Sequence, residues 1–352
     1  MSLGSLAATL LFIFSFHLEA KENIFLLSES HDEYKNPPFH PTRVKFAATL
    51  IRVEQIDAAS EANPKLTAKF ALETSWPDAR LAKQDPDSHI IHNFHNQEVD
   101  QILSQTFNPS ISVINGEMQT NHQDMKIFPD GRLQLNQIVT ITVPANLNLL
   151  RFPFDAQAFL IQFASTFWDD REVDIIQEIA SAEKIIDASN NAWNINYRSF
   201  YVTDLALKKS TEEKYSVFNF YIYAERDPSY FIWRLLLPLM AIVMLSWNVF
   251  WLHEDKALAL GNCFLFLLTV VTFHDTARSM LPVLSYFTFM DAVVFISYAF
   301  IMIPTFQVLI SFRLEYGGKI ELMNNIRTNC QWAVPTLYLI INSLTLLRYF
   351  LI

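Results

Sequence analysis

Two hydrophobic periods divide this chain, and they change over near residue 228. Ahead of that point short runs alternate apolar and polar residues, as in "IVTITV" at 138–143. Alternation places every second side chain on one face of an extended strand, the mark of a half-buried sheet. The stretches "VKFAATLIRVE" (44–54), "FALETSW" (70–76), "FLIQFAS" (159–165) and the aromatic-rich "YSVFNFYIYAE" (215–225) predict further strands. Turn formers such as "NPS" (108–110) and "PDGR" (129–132) separate them at short intervals, which predicts an all-β, immunoglobulin-like sandwich. No long amphipathic helix, internal repeat, Walker loop, dinucleotide fingerprint or nucleophile elbow is evident.

After 228 the pattern turns into four long apolar stretches, at about 230–252, 257–280, 285–312 and 329–352. About 20 apolar residues cross a bilayer as a helix, so the first, third and fourth predict spanning helices outright. The second reaches that length only if the polar "HDTARSM" belongs to it, and a polar end must leave the lipid or face water. Pro238, Pro304 and Pro335 are tolerable because neighbouring helices can satisfy the freed carbonyls. The fold class is therefore an all-β sandwich domain, 21–228, followed by an all-α four-helix transmembrane domain, 229–352.

Charge sharpens this division. Through Pro228 the chain carries 19 Lys+Arg against 30 Asp+Glu, and from Ser229 onward 7 against 6. An acidic first half argues against nucleic acid as a partner, since phosphate binding needs clustered Lys and Arg. The two cysteines, Cys263 and Cys330, lie in apolar stretches, so the sandwich rests on packing without a disulfide framework. The run "SLAATLLFIFSFHLEA" ending at Ala20 reads as a secretory signal, although no Lys or Arg precedes it. Export of the first half puts the linkers 253–256 and 313–328 inside, with Lys256, Arg313, Lys319 and Arg327 against Arg278 outside. Trp233, Trp247, Trp251 and Trp332 sit near helix ends as interfacial anchors.

Four motifs in order then become specific: "FPDGR" (128–132), "FPFDAQAF" (152–159), "ERDPSYFIWRLLLPL" (225–239) and "LLTVV…LP" (267–282). Together they make the chain resemble a prokaryotic pentameric ligand-gated ion channel of the Cys-loop receptor superfamily. The signature loop of that superfamily matches 145–159, with Ala145 and Phe159 where its two cysteines stand. Bacterial members commonly lack that disulfide and keep a short cytoplasmic linker, so both departures imply a bacterial inner-membrane protein with its N-terminal domain outside. The resemblance implies a coupling loop, Phe152, Pro153, Phe154 and Asp155, pressed on the outer linker 279–286. Asp155 is then placed to pair with Arg226, and Glu61, or alternatively Asp57, to complete the network. An interfacial snorkelling arginine is the plainer reading of Arg226.

Helical steps along the second span put Gly261, Leu265, Leu268, Thr272, Asp275 or Thr276, and Ser279 on one face. The resemblance aligns Leu268 with a hydrophobic gate, where five leucines close a pore by dewetting. A leucine stripe is common in any membrane helix, but an acid such as Asp275 usually faces water. Glu254 and Asp255 are candidates for a selectivity ring, although direct spacing puts Ala257 there. The acidic exported half favours cations. For ligand binding the resemblance points to Phe107, Phe167, Trp168, Tyr201 and Tyr215, with Trp168 expected to be exposed and 202–214 a capping loop; each aromatic equally suits the sandwich core. His89, His92 and His95 lie three apart in an expected loop and imply no metal site. His274, beside Asp275, is a candidate pH sensor.

The expected function is a homopentameric, cation-selective channel gated by a small agonist or by protons, with no cofactor and no enzymatic activity. Lipid and permeant monovalent cations are its other partners, and amine, carboxylate and proton all remain open as agonist. The alternative is a membrane-anchored sensor without conduction.

Overall fold

The alternating half folds as two packed sheets. A computed structural model describes residues 34–57, 64–82, 91–178, 192–205, 214–251, 256–278 and 284–351. The expected signal segment 1–20, together with Glu61, His89, Glu254, Asp255, Ser279 and residues 206–213 of the capping loop, lies outside the described residues. The elements of the first half are β1 (Thr42–Asp57), β2 (Lys65–Pro77), β3 (His92–His95), α1 (Gln97–Gln105), β4 (Ile111–Val113), β5 (Glu117–Ile127), β6 (Arg132–Pro144), β7 (Ala156–Ser165), β8 (Val173–Gln177), β9 (Trp193–Leu205) and β10 (Tyr215–Arg226). One sheet has the order β3-β5-β6-β2-β1-β8 and the other β4-β7-β10-β9. Among the described strands only β1 and β8 run parallel; the other pairs are antiparallel.

Strand alternation fills the space between the sheets. Along β2 the side chains of Leu66, Ala68, Phe70 and Leu72 are buried and the intervening ones are not. Phe46 and Phe70 of the larger sheet meet Phe163, Phe218 and Phe220 of the smaller, with ring centroids 5.1–6.3 Å apart and mostly edge-to-face. Aromatic pairs in that geometry add about 0.5–1.5 kcal/mol each beyond their buried area. This stack takes the place that a disulfide holds in small exported domains.

The expected turn at 128–132 joins β5 to β6, and Gly131 sits there at φ +80°, a conformation that L side chains rarely adopt. A Cβ on Gly131 would lie 2.4 Å from the Asp78 carbonyl oxygen. Gly131→Ala is therefore expected to destabilise the sandwich by about 1–2 kcal/mol or more, seen as a lowered midpoint in thermal melting. An unchanged midpoint would show that this corner relaxes freely.

Two expectations are corrected here. His92 and His95 lie on a strand, not a loop, because β3 pairs with β5 from His92 opposite Ile127 to His95 opposite Asp124. The linker between the third and fourth spans is also shorter than 313–328. The third helix runs on to Tyr316 and the fourth begins at Ile320, where polar turns continue the helix beyond the apolar run.

The second half forms four helices long and apolar enough to cross a membrane: α2 (Ser229–Phe250), α3 (Ala257–Thr276 within Lys256–Arg278), α4 (Phe289–Tyr316) and α5 (Ile320–Leu351). In α2 the segment Ile232–Leu236 widens to a π-helical turn, with the Leu237 N–H donating to the Ile232 carbonyl. Pro238 follows at once and lacks an N–H, so the widened turn lies where the helical ladder is interrupted. Helix α4 is central, with buried residues from Phe289 to Ser311, whereas α5 buries only Val334 and Tyr338. Polar side chains tie the helices together: Tyr338 Oη lies 3.3 Å from Ser297 Oγ, and Gln331 Nε2 donates to the Phe250 carbonyl at 3.1 Å.

Candidate functional site

The loop 145–155 joins the two halves. Ala145 and Phe159 are buried in the sandwich core, while Leu149 and Phe152 are buried in the helix-bundle core. The backbone locks the same junction: Phe289 N–H, at the start of α4, donates to the Leu150 carbonyl at 2.9 Å. Leu149 N–H donates to Tyr286 Oη at 3.0 Å. Thr288 caps α4 and exchanges hydrogen bonds with Asp291, which fixes the helix start against this loop.

Asp155 and Arg226 form a buried fork within this junction. Arg226 Nε lies 2.7 Å from Asp155 Oδ1, and a terminal nitrogen lies 3.2 Å from Oδ2. Their side chains are 6% and 2% exposed, so the pair is out of water and the snorkelling reading of Arg226 falls. Asp155 Oδ2 also accepts from Gln157 Nε2 at 2.6 Å. Around the guanidinium stand three aromatic rings, Trp193 at 4.2 Å, Phe152 at 5.1 Å and Phe231 at 5.8 Å. Planar guanidinium can make the two-pronged bond and stack flat on the ring faces at once, whereas ammonium meets both only as a point charge.

Of the linker 279–286 on which the aromatic tip is expected, 284–286 are described, and Leu284 packs against the same apolar cluster as Phe152 and Phe154. Phe152 packs edge-on against Phe231 of α2 at 4.6 Å, and Phe154 against Phe289 of α4 at 5.9 Å and Phe350 of α5 at 5.5 Å. The starts of α2 and α4 and the last turn of α5 offer apolar walls there, and Tyr286 of the linker adds a contact through its hydroxyl.

On α3, the residues Ala259, Cys263 and Val270 are buried against the bundle. Gly261, Leu265, Leu268, Thr272, Asp275 and Thr276 lie on the exposed side of the chain. Leu265 and Leu268 are 59% and 64% exposed, which places them away from the other three helices. Thr272 and Thr276 return their hydroxyls to the carbonyls of Leu268 and Thr272, so these side chains lie along the helix. His274, the candidate pH sensor, lies beside Asp275 on a different face of the helix. Its Nδ1 lies 3.3 Å from Tyr298 Oη and its ring packs against Phe295, so it turns toward α4 and not onto that exposed face.

The aromatic residues expected to bind ligand separate into different environments. Phe107 is fully buried in the sandwich core, its ring 5.6 Å from that of Trp168, which is the core alternative for this residue. Trp168 is half-buried rather than exposed, because its indole N–H finds the Asn108 carbonyl at 2.9 Å. Phe167 is the exposed neighbour, at 77%. Tyr215 opens β10 and is half-buried. Tyr201 stacks on Tyr221, with hydroxyls 3.2 Å apart, and Tyr221 stacks on Tyr223. The hydrogen bond with Tyr201 pushes the Tyr221 phenol above its ordinary value, and burial adds to the shift.

Residues 22–228 match the model of the neurotransmitter-gated ion-channel ligand-binding domain. The chain belongs to this family of ligand-gated ion channels. It is 24% identical to a proton-gated ion channel of Gloeobacter violaceus over 323 residues, covering 89% of this chain and 86% of that protein. It is 21% identical to the gamma-aminobutyric acid receptor subunit rho-2 of rat over 294 residues, covering 82% of this chain. The chain spans 62% of the length of that receptor subunit. A related match of 21% extends to the human rho-2 subunit.

Within this channel family member, a β-sandwich ligand-binding domain precedes a multi-pass membrane domain of four apolar helices, and the family is one of channels rather than enzymes. Trp193 is the junction residue that sequence reasoning missed. It faces Arg226 only because β9 and β10 pair with Trp193 opposite Arg226. The alternation "YIY" at 221–223 puts Tyr221 and Tyr223 on one face of β10, which is the sequence signal for the tyrosine stack.

Proposed function

We propose that this ligand-gated ion channel is a homopentamer in a bacterial inner membrane, cation-selective, with residues 21–228 outside and 229–352 in the bilayer. Agonist binding or titration in the sandwich shifts the loop at 152–155, which moves α3 through its contacts with α2 and α4. Ring closure by five Leu268 side chains excludes water, and the movement of α3 rehydrates it. The observation that carries this reading is the exposed side of α3, where Gly261, Leu265, Leu268, Thr272 and Asp275 follow one another. An aspartate on an apolar spanning helix is costly unless it meets water, and a five-fold axis along that side gives it a water-filled lumen. The 24% relative named as proton-gated keeps protons among the candidate agonists.

The test is ion flux. Purified protein in liposomes under a salt-dilution gradient is expected to set a reversal potential toward the cation equilibrium value. A potential toward chloride would overturn the selectivity, and no flux across a broad ligand and pH screen would favour a non-conducting sensor. Asp275→Asn removes five negative charges from the lumen and is expected to lower single-channel cation conductance at low salt. The loss should shrink as salt rises, since screening shortens the reach of the ring. A conductance unchanged at low salt would take Asp275 off the permeation path.

A further inference from the structure

We propose that His95, Asp124 and His122 form a proton-binding site on the larger sheet through which pH acts on the channel. The inference rests on the channel reading above and names a ligand for it. Strand pairing builds the site: β3 sets His95 directly opposite Asp124, and an irregularity in β5 between Thr120 and His122 precedes His122. The carboxylate stands between two rings, with Oδ1 2.5 Å from His95 Nδ1 and Oδ2 3.1 Å from His122 Nε2. The three side chains are 65%, 35% and 47% exposed in the order His95, Asp124, His122, so bulk protons reach them.

Among the described residues, the other charged groups around the trio are carboxylates and one lysine. From α1, Glu98 accepts the backbone N–H of His95 at 3.3 Å, and Asp100 accepts from Gln123 Nε2 at 2.7 Å. From β5, Lys126 follows Asp124 by two residues. From β6, the residues opposite His122, Asp124 and Lys126 are Ile138, Asn136 and Gln134, none of them charged. Glu73 of β2 comes next and accepts from Gln134 at 2.6 Å. His92, three residues along β3 from His95 and so on the other face by alternation, stacks on Phe94. Carboxylates and lysine keep their charge through the neutral range, whereas imidazole changes charge there.

Each neutral imidazole has one N–H to offer, and protonation makes each contact a charge-assisted bond. The hydrogen bond to His95 holds the Asp124 carboxyl below its usual value, which keeps it anionic as the rings charge. Protonating both rings takes the trio from one negative to one positive charge, and it tightens the tie between β3 and β5. That tie has a reach. Asn96, at φ 45°, turns the chain from His95 into α1. Helix α1 ends at Gln105 and is capped by Thr106, which leads to Phe107 and to Asn108, whose carbonyl holds Trp168. Proton occupancy at β3 therefore bears on the corner that leads to the half-buried Trp168 and exposed Phe167.

The experiment uses the full chain in liposomes, with external pH lowered from about 8 to about 5 and protons as the only added agonist. Flux is expected to change with a half-point in the imidazole range, and His95→Asn with His122→Asn is expected to shift that half-point by about one pH unit or abolish it. The same half-point in the conducting double variant overturns the proposal. Hydrogen exchange gives a readout independent of conduction. Amides of 92–95 and 117–127, corrected for intrinsic rates, are expected to be better protected at the lower pH in the wild type and equal at both in the double variant. Without flux at any pH the channel reading fails, and exchange alone decides the site; pH-independent protection in the wild type then overturns it. Should the double variant fail to fold, His122→Gln alone carries both measurements, with a smaller shift expected and an unchanged profile again counting against the site.

Discussion

Leu268→Ala is expected to open the channel at agonist or proton concentrations at least tenfold lower than wild type requires, with leak current in their absence. The argument is one of wetting. Leu268 lies 64% exposed on the side of α3 that the bundle leaves open, with Leu265 one turn below and Thr272 one turn above. In the proposed homopentamer, five leucines around the axis make a collar that water leaves, because too few polar partners remain inside it. Truncation to alanine widens the collar and removes apolar surface from every subunit at once. A tenfold shift corresponds to about 1.4 kcal/mol, which five subunits share, so the requirement on each is small. Val271→Ala serves as a control on the same helix, since its side chain is exposed but stands about a quarter turn from the Gly261–Leu265–Leu268 line. Concentration–response curves from reconstituted channels check the shift. Equal curves for wild type and Leu268→Ala would remove this residue from the gate.

The spanning helices were legible because twenty apolar residues have few other fates, and the sandwich because strand alternation repeats every second residue. The start of α5 at Ile320 was not, since 320–328 is polar and carries no apolar run to announce a helix. Short elements escaped for the same reason: the four residues of β3 and the nine of α1 hold too few periods to stand out. Phe107 and Phe167 show a second limit. Both are phenylalanines next to polar loops, yet one is fully buried and the other 77% exposed, and only the packing of Trp168 over Phe107 separates them. The histidine run 89–95 drew attention through its spacing, but the partner of His95 comes from the neighbouring strand. Chemistry assembled across strands is invisible to spacing along one of them. Asp155 and Arg226 were readable because motifs mark both; the ring cage around them was not, since Trp193, Phe152 and Phe231 come from three separate segments.

Removing either partner of the Asp155–Arg226 fork alone is expected to cost about 3–5 kcal/mol, because it leaves the other charge buried without compensation. Asp155→Ala leaves a guanidinium among three aromatic rings, and Arg226→Ala leaves a carboxylate whose remaining side-chain donor is Gln157. Such variants cannot by themselves separate fold from function. The double variant Asp155→Leu with Arg226→Leu does. Both charges vanish, the leucine at 226 meets an apolar box, and Gln157 Nε2 keeps its second acceptor, the Asn148 carbonyl at 2.9 Å. Replacing a buried ion pair by apolar residues is often neutral or stabilising, so its melting midpoint is expected to recover toward wild type. Gating is not. Orientation of the loop at 152–155 against the end of β10 depends on the two-pronged bond, and leucines reproduce its volume but not its direction. Arg226→Lys is expected to fail as well, since a point charge neither spans both oxygens nor stacks on Trp193. A double variant that is stable, assembled and silent to protons or agonist makes the fork a coupling element between sandwich and pore. One that is stable and gates as wild type does would leave it a structural pair, with coupling carried by Phe154 and the backbone bond from Phe289 to Leu150.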